Sequence, residues 1–335
     1  MIFSNKARHR REEIQMQKFV LPIALLISVS ATFAQAQPYP SRPIRVVVPF
    51  PAAGNVDTYI RQLARQMEIS MGQPLVIDNR SGANGIVGCD IVAKSAPDGY
   101  TIVLVSPALV ISPSLYKKLN YAPLKDLAPV GLVANAPNIL LVHPSVPART
   151  LKELVALARA NPGKLNFGSG GVGTSIHLAG EMMKSLTGVN IVHVPYKGGN
   201  DAMTALQGGQ IEMMVNGIAP VLPQLRSGRV RGLAMLTAER VASLPEVPTA
   251  KEAGIPNYEA SNWYGVLAPA GTPREIIVRL NTEFRNILGM PEVRERFLAA
   301  GVNTRSNTPD EFAAFIKSEA ERYAQVIKAA NIQAE

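Results

Sequence analysis

Short apolar runs alternate with stretches of helical periodicity along most of the chain. Residues 44–48, 75–78, 101–105, 139–142, 165–167, 191–194, 211–215 and 232–236 read as strands, most of them apolar enough to be covered on both faces. A mostly parallel sheet is the expectation. Between the runs, Ile60, Leu63, Ala64 and Met67 fall on one helical stripe, and so do Ile176, Ala179, Met182, Met183 and Leu186. Thr150 with Glu153, Thr272-Pro273 with Glu275, and Thr308-Pro309 with Glu311 each set a hydroxyl three residues before a glutamate, the signature of a helix start. The last helix carries Phe312, Phe315, Ile316, Ala320, Tyr323 and Ile327 as an apolar stripe for docking on a core. The fold class is α/β.

No linker rich in Gly or Ser divides the chain, and no repeat is visible. Two domains would have to be joined by extended crossings, for which residues 135–141 and 261–268 are the candidates, each bounded by Pro or Gly turns. Trp263, the only tryptophan, stands in the second crossing, as a core or hinge aromatic or as a ligand contact.

At 335 residues and 47% apolar content the chain holds two domains or one large α/β unit. Its N-terminus adds a destination. Basic residues up to Lys18 precede an apolar stretch, 19–33, and then Ala34-Gln35-Ala36, small residues of the kind a signal peptidase reads. Residues 1–36 are expected to be a signal peptide cleaved after Ala36, leaving a periplasmic protein. Pro22 and several hydroxyl residues make the stretch short for a membrane span. Met16 begins a more compact leader, so translation starts at Met1 or at Met16. The net charge of +9 is partly the leader's, and no Lys or Arg run follows it, which argues against a nucleic-acid partner. Cys89 is the only cysteine, which leaves no intrachain disulfide, no cysteine-based zinc cluster and no lipidated cysteine.

Two loops carry candidate chemistry. Strand 44–48 runs into Pro49-Phe50-Pro51-Ala52-Ala53-Gly54-Asn55-Val56-Asp57 and then a helix. A loop of small residues there exposes backbone N–H groups with a helix dipole behind them, which suits an anion. A packed turn capped by Asn55 or Asp57 is the alternative. The second loop, Phe167-Gly168-Ser169-Gly170-Gly171-Val172-Gly173-Thr174-Ser175, again joins a strand to a helix, and Ser169, Thr174 and Ser175 add hydroxyl donors. Gly168, Gly170 and Gly173 spell a dinucleotide fingerprint, but strand 191–194 ends in Pro195-Tyr196-Lys197 where the acidic partner belongs. Ser169 follows Phe167 at the position where a nucleophile elbow needs glycine. His143, His177 and His193 show no ligand-pair spacing. No catalytic set, cofactor or metal is expected.

Taken together, these segments resemble the Bug-type substrate-binding proteins of tripartite tricarboxylate transporters. The resemblance is carried, in order, by YPSRPIRVVVPFPAAGNVD, NRSGANGIVGCDIVAKSAPDGYT, PSLYKKLNYAPLKDLAPV, NPGKLNFGSGGVGTSIHLAGE, HVPYKGGNDA, LPEVPTAKEAG and NWYGVLAPAGTP. It implies a type II periplasmic-binding-protein fold, two α/β domains with a ligand cleft between them. Residues 37–136 and 262–335 would form a discontinuous first domain and 137–261 the second. In that family backbone amides, waters and small hydroxyl residues hold a carboxylate. Carried over, the first domain supplies Pro51, Ala52, Ala53, Gly54 and Asp57, and Ser106, at the end of another strand, is expected to line the same cleft. The second supplies Ser169, Gly171, Gly173, Thr174 and Ser175, with Tyr196, Lys197, Gly198 and Asn216 nearby. Ala53 stands where the family usually has the first glycine of a pair, and Arg80-Ser81 replaces a common Arg-Pro. The implied activity is capture of a mono-, di- or tricarboxylate or an amino acid by a monomer, for delivery to membrane permease subunits. A sensor docking on a receptor kinase, or a periplasmic oxidoreductase or hydrolase, are the alternatives.

Overall fold

The structure is a computed structural model that describes residues 39–50, 52, 55–299 and 301–332. The expected signal peptide and its cleavage site after Ala36 lie outside the described residues. The chain separates into two units, Met1–Ser41 and Arg42–Glu335, and everything below concerns the second.

Among the described residues eleven strands form two sheets. The six-stranded sheet has the order β11-β4-β10-β3-β1-β2, from Asn303–Thr304 (β11), Leu127–Ala136 (β4), Asn262–Pro269 (β10), Thr101–Val105 (β3), Ile44–Val48 (β1) and Leu75–Asn79 (β2). Asn55–Met71 (α1), Ile86–Ala93 (α2), Ala108–Leu115 (α3) and Pro123–Asp126 (α4) accompany it. The five-stranded sheet runs β7-β6-β8-β5-β9, from Val192–Pro195 (β7), Asn166–Ser169 (β6), Met213–Gly217 (β8), Asn138–Val142 (β5) and Arg231–Met235 (β9). Its helices are Leu151–Ala160 (α5), Ser175–Thr187 (α6), Gly199–Gln207 (α7) and Ile218–Arg226 (α8). Arg274–Gly289 (α9), Pro291–Ala299 (α10) and Pro309–Ala329 (α11) close the chain. We call the two sheets with their helices the first and second lobes.

Both sheets are mixed, against the expectation of a mostly parallel one. β10 is antiparallel to β3 and β4, and β5 is antiparallel to β8 and β9. These strands enter their sheets directly from the other lobe, with no helix to turn the chain around for parallel pairing. β4 escaped the sequence reading because Pro129 and Gly131 interrupt its apolar pattern. β10 was read only as an extended crossing.

β5 shows why its residues form a central strand. Ile139 and Leu141 enter one apolar cluster, with Leu206, Met214 and Met235, while Leu140 and Val142 enter another, with Leu154, Phe167 and Met183. The strand alternates sides, and both sides are covered. In the first lobe Val47, Val103, Val105 and Leu267 pack with Trp263, Phe312, Ile316 and Tyr323. The predicted stripe of α11 thus meets its core. Leu178 of α6 joins this first-lobe cluster, and Val326 of α11 packs on the second-lobe cluster, so these two helices knit the lobes together.

Helix starts follow the sequence in two cases of three. Thr150 accepts from the Glu153 N–H, and Thr308 with Glu311 makes a reciprocal capping box. At α9 the cap position belongs to Pro273, and the Thr272 hydroxyl donates backwards to the Pro269 carbonyl at 2.8 Å. The turn before the helix uses that hydroxyl first.

The chain crosses between lobes at two adjacent places. Only Pro137 separates β4 from β5. Asn138, fully buried, donates its side-chain N–H to the Ala260 carbonyl at 2.8 Å, and Leu236 N–H donates to the Asn138 carbonyl at 2.9 Å. The outgoing and returning crossings are therefore tied to each other. No helix among the described residues is long and apolar enough to cross a membrane.

Candidate functional site

Two cavities lie between the lobes and share Ile176, Gly198, Gly199, Asn262 and Tyr264 as common wall. One, of about 480 Å³, is bounded by Phe50, Asn84 and Ser106 of the first lobe and by Thr174, Ser175 and Lys197 of the second. The other, of about 410 Å³, is bounded by Tyr59 and Gly301 on one side and by Asp201, Asn216 and Gly217 on the other. Together they make one elongated cleft.

The chemistry of this cleft is mostly backbone. Its described lining holds one cationic side chain, Lys197, and one anionic side chain, Asp201. Three helices begin at its wall: α6 at Ser175, α7 at Gly199 and α8 at Ile218. The caps of α7 and α8 are Gly198 and Gly217, neither with a side chain to occupy the first-turn N–H groups. Unpaired N–H groups and aligned peptide dipoles favour negative charge at such ends.

The second-lobe loop is held from inside. Ser169 is fully buried; its Oγ accepts the Gly171 N–H at 3.1 Å and lies 2.7 Å from His193 Nε2. The Gly173 N–H donates to His177 Nδ1 at 3.1 Å. The His177 and His193 rings stack with centroids 3.9 Å apart, and Phe167 stacks on His193 at 4.9 Å. Burial pushes His177 down to about 3, helped by His193 and Lys184, and pushes His193 down to about 4, helped by Lys184. Both rings are neutral at neutral pH. Gly173 has φ +78°, a conformation that favours glycine, and a Cβ there would press on the end of the Leu115 side chain of α3.

The predicted site residues divide accordingly. Ser106, Thr174, Ser175, Lys197, Gly198 and Asn216 line the cleft. Ser169 and Tyr196 do not: Ser169 is spent on the inner network, and Tyr196 packs beside the apolar cluster of α7 and β8. Gly171 and Gly173 turn their amides inward. The Thr174 hydroxyl was expected to serve an oxyanion; it caps α6 instead, accepting from the His177 N–H at 3.2 Å and donating to the Gly171 carbonyl at 2.9 Å. Ser175 donates to Asn262 Oδ1 at 2.6 Å, bridging the lobes. Asn216 Oδ1 accepts the Gly217 N–H at 2.8 Å.

In the first loop Ala52 is an exposed turn residue, while Pro51, Ala53 and Gly54 lie outside the described residues. Asp57 is buried and accepts from Arg61 at 2.8 Å and from Asn79 at 2.9 Å. Asn79 also donates to the Phe50 carbonyl at 3.1 Å, so Asp57 braces the loop. Sequence reasoning missed Asn84, Asn262, Tyr264, Tyr59 and the start of α8. The turn-rich stretch Ser81-Gly82-Ala83-Asn84-Gly85 was the available signal for the first of these. Asn84 has φ +53° and donates to the Gly173 carbonyl at 3.3 Å across the cleft.

Trp263 lies behind the crossings, away from this cleft. It is 1% exposed, donates its indole N–H to Glu319 at 3.0 Å and meets Phe312 edge-on. A separate cavity of about 430 Å³ borders it, lined by Asn135 and Arg305 of the first lobe and Leu236, Thr237 and Asn257 of the second. Among the described residues no group of three or more His, Cys, Asp or Glu is placed to hold a metal ion.

A family model described as the tripartite tricarboxylate transporter family receptor matches residues 59–332. The chain is 38% identical over 319 residues to Protein BugT of Bordetella pertussis, covering 94% of this chain and 98% of that protein. It superposes on Rpa4515 of R. palustris with adipate at TM-score 0.80 and 35% identity, over 88% of this chain and all of that one. It superposes on MatC of Rhodopseudomonas palustris with bound malate at TM-score 0.76 and 32% identity, over 86% and 100%.

Proposed function

Because this chain belongs to the tripartite tricarboxylate transporter receptor family, we propose that it captures a small carboxylate in the interlobe cleft and presents it to a membrane permease. The observation that carries this reading is the convergence of α6, α7 and α8 on a cleft whose described lining has one cationic side chain. A carboxylate accepts several N–H bonds at once, and such charge-assisted bonds strengthen where water is excluded. The relatives with adipate and malate support the same chemistry.

In this reading residues 37–136 and 262–335 form one domain and 137–261 the other, with the tied crossings at Pro137 and Ala260 as hinge. Gly198, Ser175, Asn216 and Ser106 face the ligand, with Lys197 at one end. Pro51, Ala52, Ala53 and Gly54 meet it from the first lobe, and Asp57, Ser169, Gly171, Gly173 and Thr174 hold the loops that do so. The receptor is monomeric and periplasmic after cleavage at Ala36, and it turns nothing over; permease subunits, in preference to a sensor kinase, read its closed form. Calorimetric titration of the mature protein with adipate, malate, tricarboxylates and amino acids tests this. Saturable binding of one carboxylate is expected, and at about 100 times its Kd it adds about 2.7 kcal/mol of stability. Failure of the whole panel to bind overturns the reading.

A further inference from the structure

The second-lobe loop has more N–H groups than a carboxylate uses, and the interior takes some of them. Gly171 N–H is spent on Ser169 and Gly173 N–H on His177. The Thr174 N–H is directed at the Gly171 carbonyl at 3.4 Å. The N–H groups of Gly170, Ser175 and Ile176 have no acceptor among the described residues, and all three residues line the cleft. What divides the loop is therefore a pair of inward bonds made by two acceptors, Ser169 Oγ and His177 Nδ1.

His177 is fixed for this task from several sides. Its own N–H is held by Thr174, its ring lies flat on His193, and His193 is wedged between that ring and Phe167. Accepting at Nδ1 requires the neutral tautomer with the proton on Nε2, which points towards the Glu181 carboxylate at 3.8 Å. With φ +78° at Gly173 and +122° at Gly171, the intervening backbone has conformations open to it that other residues lack, so a bond is needed to select one.

We propose that His177 is a positioning residue for ligand capture: by drawing the Gly173 amide inward it sets which amides of the loop face the carboxylate. This rests on the carboxylate-receptor reading, yet part of its test does not. Removing the acceptor frees the Gly173 amide, and the loop then reaches its binding arrangement only part of the time. His177→Leu removes the acceptor, while His177→Asn sets Oδ1 close to where Nδ1 was.

In the unliganded full-length mature chain near neutral pH, nitrogen-15 spectra should show the His177 proton on Nε2. The Gly173 amide should exchange with deuterium slowly in the wild type and in His177→Asn, and quickly in His177→Leu. With adipate as the probe, His177→Leu should bind about tenfold more weakly and His177→Asn within about threefold of the wild type. A proton on Nδ1, unchanged exchange in His177→Leu, or equal adipate affinity in wild type and His177→Leu overturns the proposal. If His177→Leu does not fold, the tautomer and the exchange rate of His177→Asn decide it. A wild type that ignores adipate and every other carboxylate counts against the receptor reading alone, since the spectroscopic comparison still decides the role of His177.

Discussion

A hydroxyl at the edge of an anion site has two uses, and Thr174 is committed to the structural one. Its oxygen caps α6 and its proton goes to the Gly171 carbonyl. Thr174→Val should therefore lower the stability of the unliganded protein by about 1 kcal/mol, the cost of a lost cap, seen as a fall of a few degrees in Tm. An unchanged Tm with weakened carboxylate binding would return the hydroxyl to the ligand. The stacked histidines give a pH dependence with a definite sign. Their folded pKa values, about 3 and about 4, lie below the unfolded value, so the unfolded chain takes up protons first as pH falls. Stability should be fully present above about pH 6.5 and decline steadily towards pH 4. Urea unfolding at several pH values measures this, and His177→Asn should flatten the decline.

At the scale of elements, the loop before α6 rests on α3 through Gly173 and Leu115. Gly173→Ala brings a Cβ to 2.3 Å from the Leu115 side chain and forces a positive φ on alanine. Both effects should part α3 from α6 and weaken carboxylate binding by about tenfold. Adding Leu115→Ala should restore part of the affinity while costing about 2–5 kcal/mol of stability, a coupling that a double-mutant cycle reads directly. Elements written in local code were legible in the sequence: the stripe of α1, the caps at Thr150 and Thr308, and the glycine loop ahead of α6. β4 was not, because Pro129 and Gly131 break its pattern while pairing with β10, through two register shifts, holds it in the sheet. The cleft was half legible for a similar reason. Loop composition marks where backbone is exposed, but the direction of the Ser169 hydroxyl depends on His193, twenty-four residues on, which no local pattern reveals. Asn262 and Tyr264 enter the site from a strand of the opposite lobe.

For the whole molecule, the tied crossings define the axis about which the lobes are expected to turn. Trp263 sits just behind that axis, beside a cavity whose walls come from both lobes. Closing the cleft opens the opposite side, so the emission of this single buried tryptophan should change as carboxylate is titrated in. Flat emission with a ligand confirmed by calorimetry would mean that the lobes do not turn about these crossings. The central place of β10 has another consequence, in biosynthesis. β3 and β4 do not pair with each other; each bonds to β10, which is translated only after the whole second lobe. A nascent chain that ends anywhere before β10 carries a first lobe split into two pieces with bare strand edges, and such edges invite pairing with other chains. Until Pro269 has left the ribosome the first lobe's sheet is thus unable to close, and the growing chain carries strand edges that only β10 covers.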